Sequence, residues 1–235
     1  MSILTLFVVI PLLMLLGLWL SKNLNQVRGV MVVGATALLA LSIWLTVYFI
    51  DQRASGNTAN MLLTYSVTWF EPLKIAYSVG VDGISVVMIL LSAIIVFTGT
   101  FASWQLKPLT KEYFLWFVLL SIGVFGFFIS TDMFTMFMFY EVALIPMYLL
   151  IGVWGTGPKE YSAMKLTLML MGGSALLILG ILGIYFFSGA QTMNVADLAQ
   201  LHAMPKSIQN IFFPFVFIGF GVLGALFPFH TWSPD

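Results

Sequence analysis

Cysteine is absent from the 235 residues, which removes disulfides, thiolate metal sites and cysteine nucleophiles together. Charge is nearly as scarce. Only 8% of residues are charged, against roughly 25% in an ordinary soluble domain, and a soluble fold of this size could not cover its surface with so few. Nine basic residues balance nine acidic ones, so no basic stripe is left for nucleic acid, and that class of partner is set aside. There is no Walker loop, no Rossmann glycine pattern and no His–carboxylate metal cluster, so the motifs assign this chain neither a metal nor a cofactor. Gly80-Val81-Asp82-Gly83 is too short and wrongly placed to hold phosphate; it reads as a turn entering a helix, with Asp82 near the helix start. The 14 methionines and 22 phenylalanines are spread over lipid-facing and packing positions and outline no cofactor box.

What is present is apolar: 61% of the chain. Seven apolar runs can be read, over Ile3–Leu20, Val30–Ile50, Val81–Ala102, Tyr113–Ser130, Met133–Trp154, Ser162–Phe187 and Ile208–Phe229. Each is near the ~20 residues a helix needs to cross ~30 Å of hydrocarbon. The fold class is therefore all-α, a polytopic transmembrane helix bundle with lipid around it. The first run has no basic residue before it and no small-residue cleavage pattern after it, so it reads as a retained span. Lys22, Arg28, Lys107, Lys111 and Lys159 follow spans one, three and five, whereas Arg53, Lys74 and Lys206 fall on the other side. The short loops favour the first set as cytoplasmic, with the amino terminus outside. Asp51–Gly80 contains alternating stretches such as Thr64–Phe70 that suit a small hairpin. Gln191–Lys206 reads as a surface loop with a short helical piece.

An ionisable group inside a span is expensive and normally faces a bundle interior, a partner or water. Asp132 is placed to cap the fifth span, which sets Glu141 about nine residues in, or roughly 13 Å along the axis at 1.5 Å per residue. Apolar and aromatic neighbours flank it on both sides. Two readings of Glu141 are open: a carboxylate that takes up and releases protons, or a structural carboxyl that hydrogen-bonds a neighbouring helix. Lys165, less than two turns into span six, either pairs with Glu141 or snorkels back to the surface. Pro146 predicts a local kink five residues after Glu141. Gly172, Gly173 and Ser174 permit close helix approach, as ordinary membrane packing requires. The seventh span ends in Phe227-Pro228-Phe229-His230-Thr231-Trp232, which does not suit a continuous helix. A broken helix of this kind can line a polar cavity, and His230 is either part of a proton relay or an interfacial histidine beside an anchoring Trp232.

Several of these stretches together resemble one family. Phe139-Tyr140-Glu141-Val142-Ala143-Leu144-Ile145-Pro146-Met147-Tyr148, continuing to Gly152-Val153-Trp154-Gly155, is similar to the fifth span of the antiporter-like subunits of respiratory complex I. Val79-Gly80-Val81-Asp82-Gly83-Ile84-Ser85, Ala163-Met164-Lys165 and Phe227-Pro228-Phe229-His230-Thr231-Trp232 match as well. The pattern is nearest to the M-type subunits of bacterial NADH-quinone oxidoreductases, and related chains occur in multisubunit cation/proton antiporters and membrane-bound hydrogenases.

The resemblance implies a fold of about fourteen spans containing two inverted repeats that begin at the fourth span. This chain would then be an amino-terminal half: residues 1–112 carry spans one to three and an external loop, and residues 113–235 carry the first part of the first repeat. It further implies a proton-translocating subunit of a redox-driven translocase, with Glu141, Lys165 and His230 as the proton-handling residues and no catalytic residue of its own. NADH, flavin, iron–sulfur clusters and quinone would sit in partner subunits. The partners would be other membrane subunits, adjacent antiporter-like ones among them, in the bacterial inner membrane. In the family the fifth-span glutamate pairs with the sixth-span lysine and modulates a lysine in the broken seventh span. Here Leu223 stands in that last slot, and Lys206 lies at the wrong end to replace it. Either His230 takes on more of the relay, or a lysine in an eighth span supplies the central site; the second is expected. Alternative functions are a cation/proton antiporter subunit, and a membrane scaffold whose buried charges only fix helix register.

Overall fold

The computed structural model describes residues 2–189, 192–200 and 205–233. A 3-10 turn, Ile3–Thr5, leads into α1 (Leu6–Leu20) and α2 (Leu24–Ala54). A hairpin of β1 (Leu62–Phe70) and β2 (Ile75–Val81) follows, then α3 (Gly83–Ala102), α4 (Thr110–Ile129), α5 (Met133–Trp154), α6 (Lys159–Phe187), the short α7 (Val195–Gln200) and α8 (Lys206–Leu223). A final 3-10 turn covers Phe229–Trp232. Among the described residues, seven helices are long and apolar enough to cross a membrane. Each overlaps one of the seven runs read from the sequence, with ends that differ, and the fold is a polytopic transmembrane helix bundle. The outward side chains agree: Trp19, Val33, Ile84 and Leu168 are all more than half exposed, a surface suited to lipid rather than water.

By internal contacts the chain divides into two units. The first takes in residues 1–65 and 79–129. In it α1 packs on α2 and α4, and α3 on α2 and α4. The Phe7 and Phe125 rings meet at 5.5 Å between centroids. Small residues let the backbones close up: a Cβ on Gly99 would come 2.8 Å from the Phe117 ring, and one on Gly34 would run into Met14. Such small-against-large packing replaces the hydrophobic drive that lipid cannot provide. Helix ends are satisfied by polar side chains. Asp82 Oδ1 accepts from Ser85 N at 2.8 Å and caps α3, as its position in the sequence predicts. Lys111 Nζ donates to the Trp19 and Ser21 carbonyls at the end of α1. Arg28 donates to the Trp104 carbonyl at 2.8 Å and lies 4.9 Å over the Trp104 ring. These bonds gather Lys22, Arg28, Lys107 and Lys111 at one end of the unit.

The second unit takes in residues 66–78 and 130–235. Its centre is α6, packed against α5 on one side and α8 on the other. Glycines carry the α6–α8 contact. A Cβ on Gly173 would lie 2.8 Å from that of Val222, and one on Gly219 would lie 2.8 Å from that of Leu177. Of the three residues read as allowing close approach, Gly173 does so, Gly172 faces open space and Ser174 is buried.

The seventh span departs from its sequence reading. It was expected to reach Phe229, but α8 ends at Leu223. Leu226 N bonds back to the Gly221 carbonyl at 2.8 Å and Ala225 N to that of Val222 at 3.2 Å. Together with a left-handed Ala225 (φ 52°), that is the Schellman arrangement which closes a helix. Alanine at the left-handed position gives no sequence signal, because glycine is the residue expected there.

Candidate functional site

Helix α5 begins where Asp132 can hold its first free N–H groups. The Asp132 carboxylate is 1% exposed, and Oδ1 accepts from Thr135 N at 2.8 Å. Its other oxygen accepts from Ala76 N of β2 at 3.2 Å. Around this pair, Thr135 Oγ1 donates to the Ala76 carbonyl at 2.7 Å, and Thr131 N donates to the Ser78 carbonyl at 2.9 Å. The Ser78 hydroxyl accepts from both Thr131 Oγ1 and Asn194 Nδ2. Met133 N and Val195 N complete the knot with bonds to Met193 and Thr131 carbonyls. Above it opens a polar pocket of about 250 Å³, bordered by Glu71, Lys74, Asp132, Asn194 and Asp197 among others. The sequence identified Asp132 as a cap; its bond to β2 and the part played by Ser78 and Asn194 were not legible, because partners 56 and 116 residues apart leave no local pattern. Among the described residues no group of three or more His, Asp or Glu side chains is placed to hold a metal ion.

From that anchored start α5 runs through Pro146 to Trp154 without a break in its helical assignment. Pro146 has no N–H to offer the Val142 carbonyl four residues earlier, so that helical bond is missing one residue from Glu141. Glu141 is half-buried, and its Oε1 is fully covered with no hydrogen-bond partner among the described residues. Tyr140, beside it, is buried and donates its hydroxyl to the Leu170 carbonyl of α6 at 3.0 Å. An uncompensated oxygen here is costly in a low-dielectric setting. A carboxyl so placed is one that a donor group, a cation or water would satisfy.

Lys165 stands on the adjacent helix α6, six residues after its first residue Lys159, and is half-buried. Its Nζ lies 5.7 Å from the centroid of the Tyr161 ring, one turn closer to the helix start. His230 is exposed in the turn beyond α8, with its ring 5.7 Å from that of Phe227. The turn is tied down by Trp232, whose Nε1 donates to the Val222 carbonyl at 3.0 Å. Leu223 is the last residue of α8, half-buried, immediately before the break. Glu141, Lys165, Leu223 and His230 thus all belong to the second unit, on α5, α6, the end of α8 and the turn after it.

Residues 130–235, most of that unit, match the family described as NADH:quinone oxidoreductase/Mrp antiporter, transmembrane. Over its whole length the chain is 29% identical to NADH-quinone oxidoreductase subunit M of Rickettsia prowazekii, covering 48% of that protein. It is 30% identical over 201 residues to an NAD(P)H-quinone oxidoreductase chain 4 of Thermosynechococcus vestitus, covering 86% of this chain and 38% of the relative. The chain therefore spans less than half the length of these curated relatives. Among solved structures, its fold superposes on a chain of respiratory complex I from Thermus thermophilus with a TM-score of 0.83 at 22% identity, covering 98% of this chain and 46% of that one. A multi-pass membrane architecture and relatives named as quinone oxidoreductase subunits accord with one finding: it is residues 130–235, in the second unit, that match the NADH:quinone oxidoreductase/Mrp antiporter transmembrane family.

Proposed function

We propose that this chain is a proton-translocating membrane subunit of an NADH-quinone oxidoreductase, set in the bacterial inner membrane. It would be driven by quinone reduction in other subunits and would move charge through its second unit. The observation that carries the reading is the covered Oε1 of Glu141 inside a spanning helix, without a hydrogen-bond partner among the described residues. An ionisable group inside a span is expensive and marks a place where protons or ions are handled. Lys165 is the proposed partner. It stands on α6, the helix packed against α5, with its ammonium 5.7 Å from the centroid of the Tyr161 ring. His230 is the proposed relay group at the break after α8. Leu223 has no proton to give, so the relay needs a group from another element.

On this reading residues 113–235 form the first part of an inverted repeat, and residues 1–112 form the spans that precede it. The chain binds no redox cofactor; NADH, flavin, iron–sulfur clusters and quinone belong to partner subunits. Replacing Glu141 with Gln in the assembled complex keeps shape and removes the charge. Protons moved per electron pair should fall, while the complex still assembles. Full pumping in that variant would leave Glu141 a structural carboxyl.

A second reading, a subunit of a multisubunit cation/proton antiporter, is favoured by one observation. The fold also superposes on a chain of the Mrp complex from Dietzia, with a TM-score of 0.78 at 21% identity, covering 97% of this chain and 42% of that one. Purification of the native complex separates the two. Redox subunits in the preparation support the first reading, and small antiporter subunits without redox centres support the second.

A further inference from the structure

Helix α5 poses a positioning problem. It is apolar nearly all round, without a marked polar face, so partition between lipid and protein does little to choose which side turns inward. Yet its rotation decides where Glu141 points. Val142 and Ile145, on neighbouring faces, are exposed, and a slip of one residue rotates the helix by about 100°. Such a slip would carry the carboxyl from its covered setting towards the outside. Something other than hydrophobicity must fix the register.

We propose that Asp132 is the positioning residue for Glu141. It bolts the first turn of α5 to strand β2 and to the segment 192–195, and so sets the rotation and depth at which the helix holds its carboxylate. The inference rests on the reading of Glu141 as a charge switch. Asp132 is suited to the task by chemistry and by place. Its two oxygens are divided between two elements, Oδ1 to Thr135 N on α5 and Oδ2 to Ala76 N on β2. Thr135 returns a bond from α5 to the carbonyl of the same Ala76, so α5 and β2 are joined by a two-way clamp that defines rotation as well as distance. Thr131, Ser78 and Asn194 extend it to the segment before α7. The carboxylate is buried, where charge-assisted bonds to backbone N–H groups are strong. Asp132 itself touches no transferred proton. It lies nine positions before Glu141, about two and a half turns at 3.6 residues per turn, and acts through the helix. Tyr140, bonded to the Leu170 carbonyl, is a second restraint further along and keeps α5 against α6 when the clamp is weakened.

The test uses the native membrane complex in sealed vesicles, with electron transfer and proton uptake measured together. Asp132→Asn keeps a cap for Thr135 N but turns the second oxygen into a donor facing the donor of Ala76. Protons per electron pair should fall about threefold or more, by loss of a charge-assisted bond, while electron transfer and the amount of assembled subunit stay near those of the parent. In a Glu141→Gln background the same substitution should add almost nothing, because the group it positions has gone. Wild-type pumping in Asp132→Asn overturns the proposal, and so does an effect that simply adds to that of Glu141→Gln, which would mark Asp132 as a general stabiliser. If Asp132→Asn depletes the subunit from the membrane, Thr135→Val decides instead, since it removes the bond to Ala76 and leaves the cap; loss of pumping there supports the clamp and unchanged pumping overturns it. If Glu141→Gln alone pumps fully, the failure lies with the charge-switch reading itself.

Discussion

At the scale of single residues, the chain shows how few polar groups an apolar bundle needs to place its chemistry. Tyr140 is the simplest case: its hydroxyl is buried and has the Leu170 carbonyl as acceptor. Tyr140→Phe should lower stability by about 1 kcal/mol, the net worth of one such bond, read as a lower unfolding midpoint of the solubilised protein. An unchanged midpoint would mean that the bond merely replaces one to water. Glu141 was legible in the sequence because a carboxylate amid Phe, Met, Val and Leu is anomalous whatever the fold. The direction of Lys165 was not, because its distance from the start of α6 suits both snorkelling and pairing. In the structure its Nζ lies 5.7 Å from the centroid of the Tyr161 ring.

At the scale of elements, the hydrocarbon thickness dictates run length, so the existence of all seven spans could be read directly. Their ends could not. Helix α2 extends to Leu24–Ala54, well beyond the Val30–Ile50 run, because Gln26, Arg28, Asp51 and Arg53 are polar yet remain helical at the interface. The hairpin was expected from the alternation in Thr64–Phe70 and is present as β1 and β2. The end of α8 was missed because Ala225 occupies a left-handed position without the glycine that would announce it. Left-handed backbone costs a residue with a Cβ about 1–2 kcal/mol. Ala225→Gly should therefore raise stability by about 1 kcal/mol after the entropy of glycine is set against that relief, measured as a higher unfolding midpoint. A lower midpoint would contradict the Schellman closure of α8.

At the scale of the whole molecule, charge sparsity and the side on which bases collect define how the chain sits in a membrane. In the first unit Lys22, Arg28, Lys107 and Lys111 gather at one end through the bonds of Arg28 and Lys111, in keeping with a cytoplasmic face. The chain has no cysteine, so single cysteines report cleanly. Lys22→Cys and Lys107→Cys should react with an impermeant maleimide only in inside-out vesicles, and Ser55→Cys only in right-side-out ones. The reverse pattern would invert the topology. The clamp at Asp132 belongs to this scale too. It joins groups 56 and 116 residues apart, and pairing over such separations is visible only once the chain has folded.

The central claim is that Glu141 changes its protonation state while the complex works. Redox-induced infrared difference spectroscopy of the assembled complex reads this directly in the stretching region of protonated carboxyl groups. The account predicts a band that appears or disappears on turnover, shifts in heavy water and is missing from Glu141→Gln. A difference spectrum that is the same in the variant and the parent would contradict it.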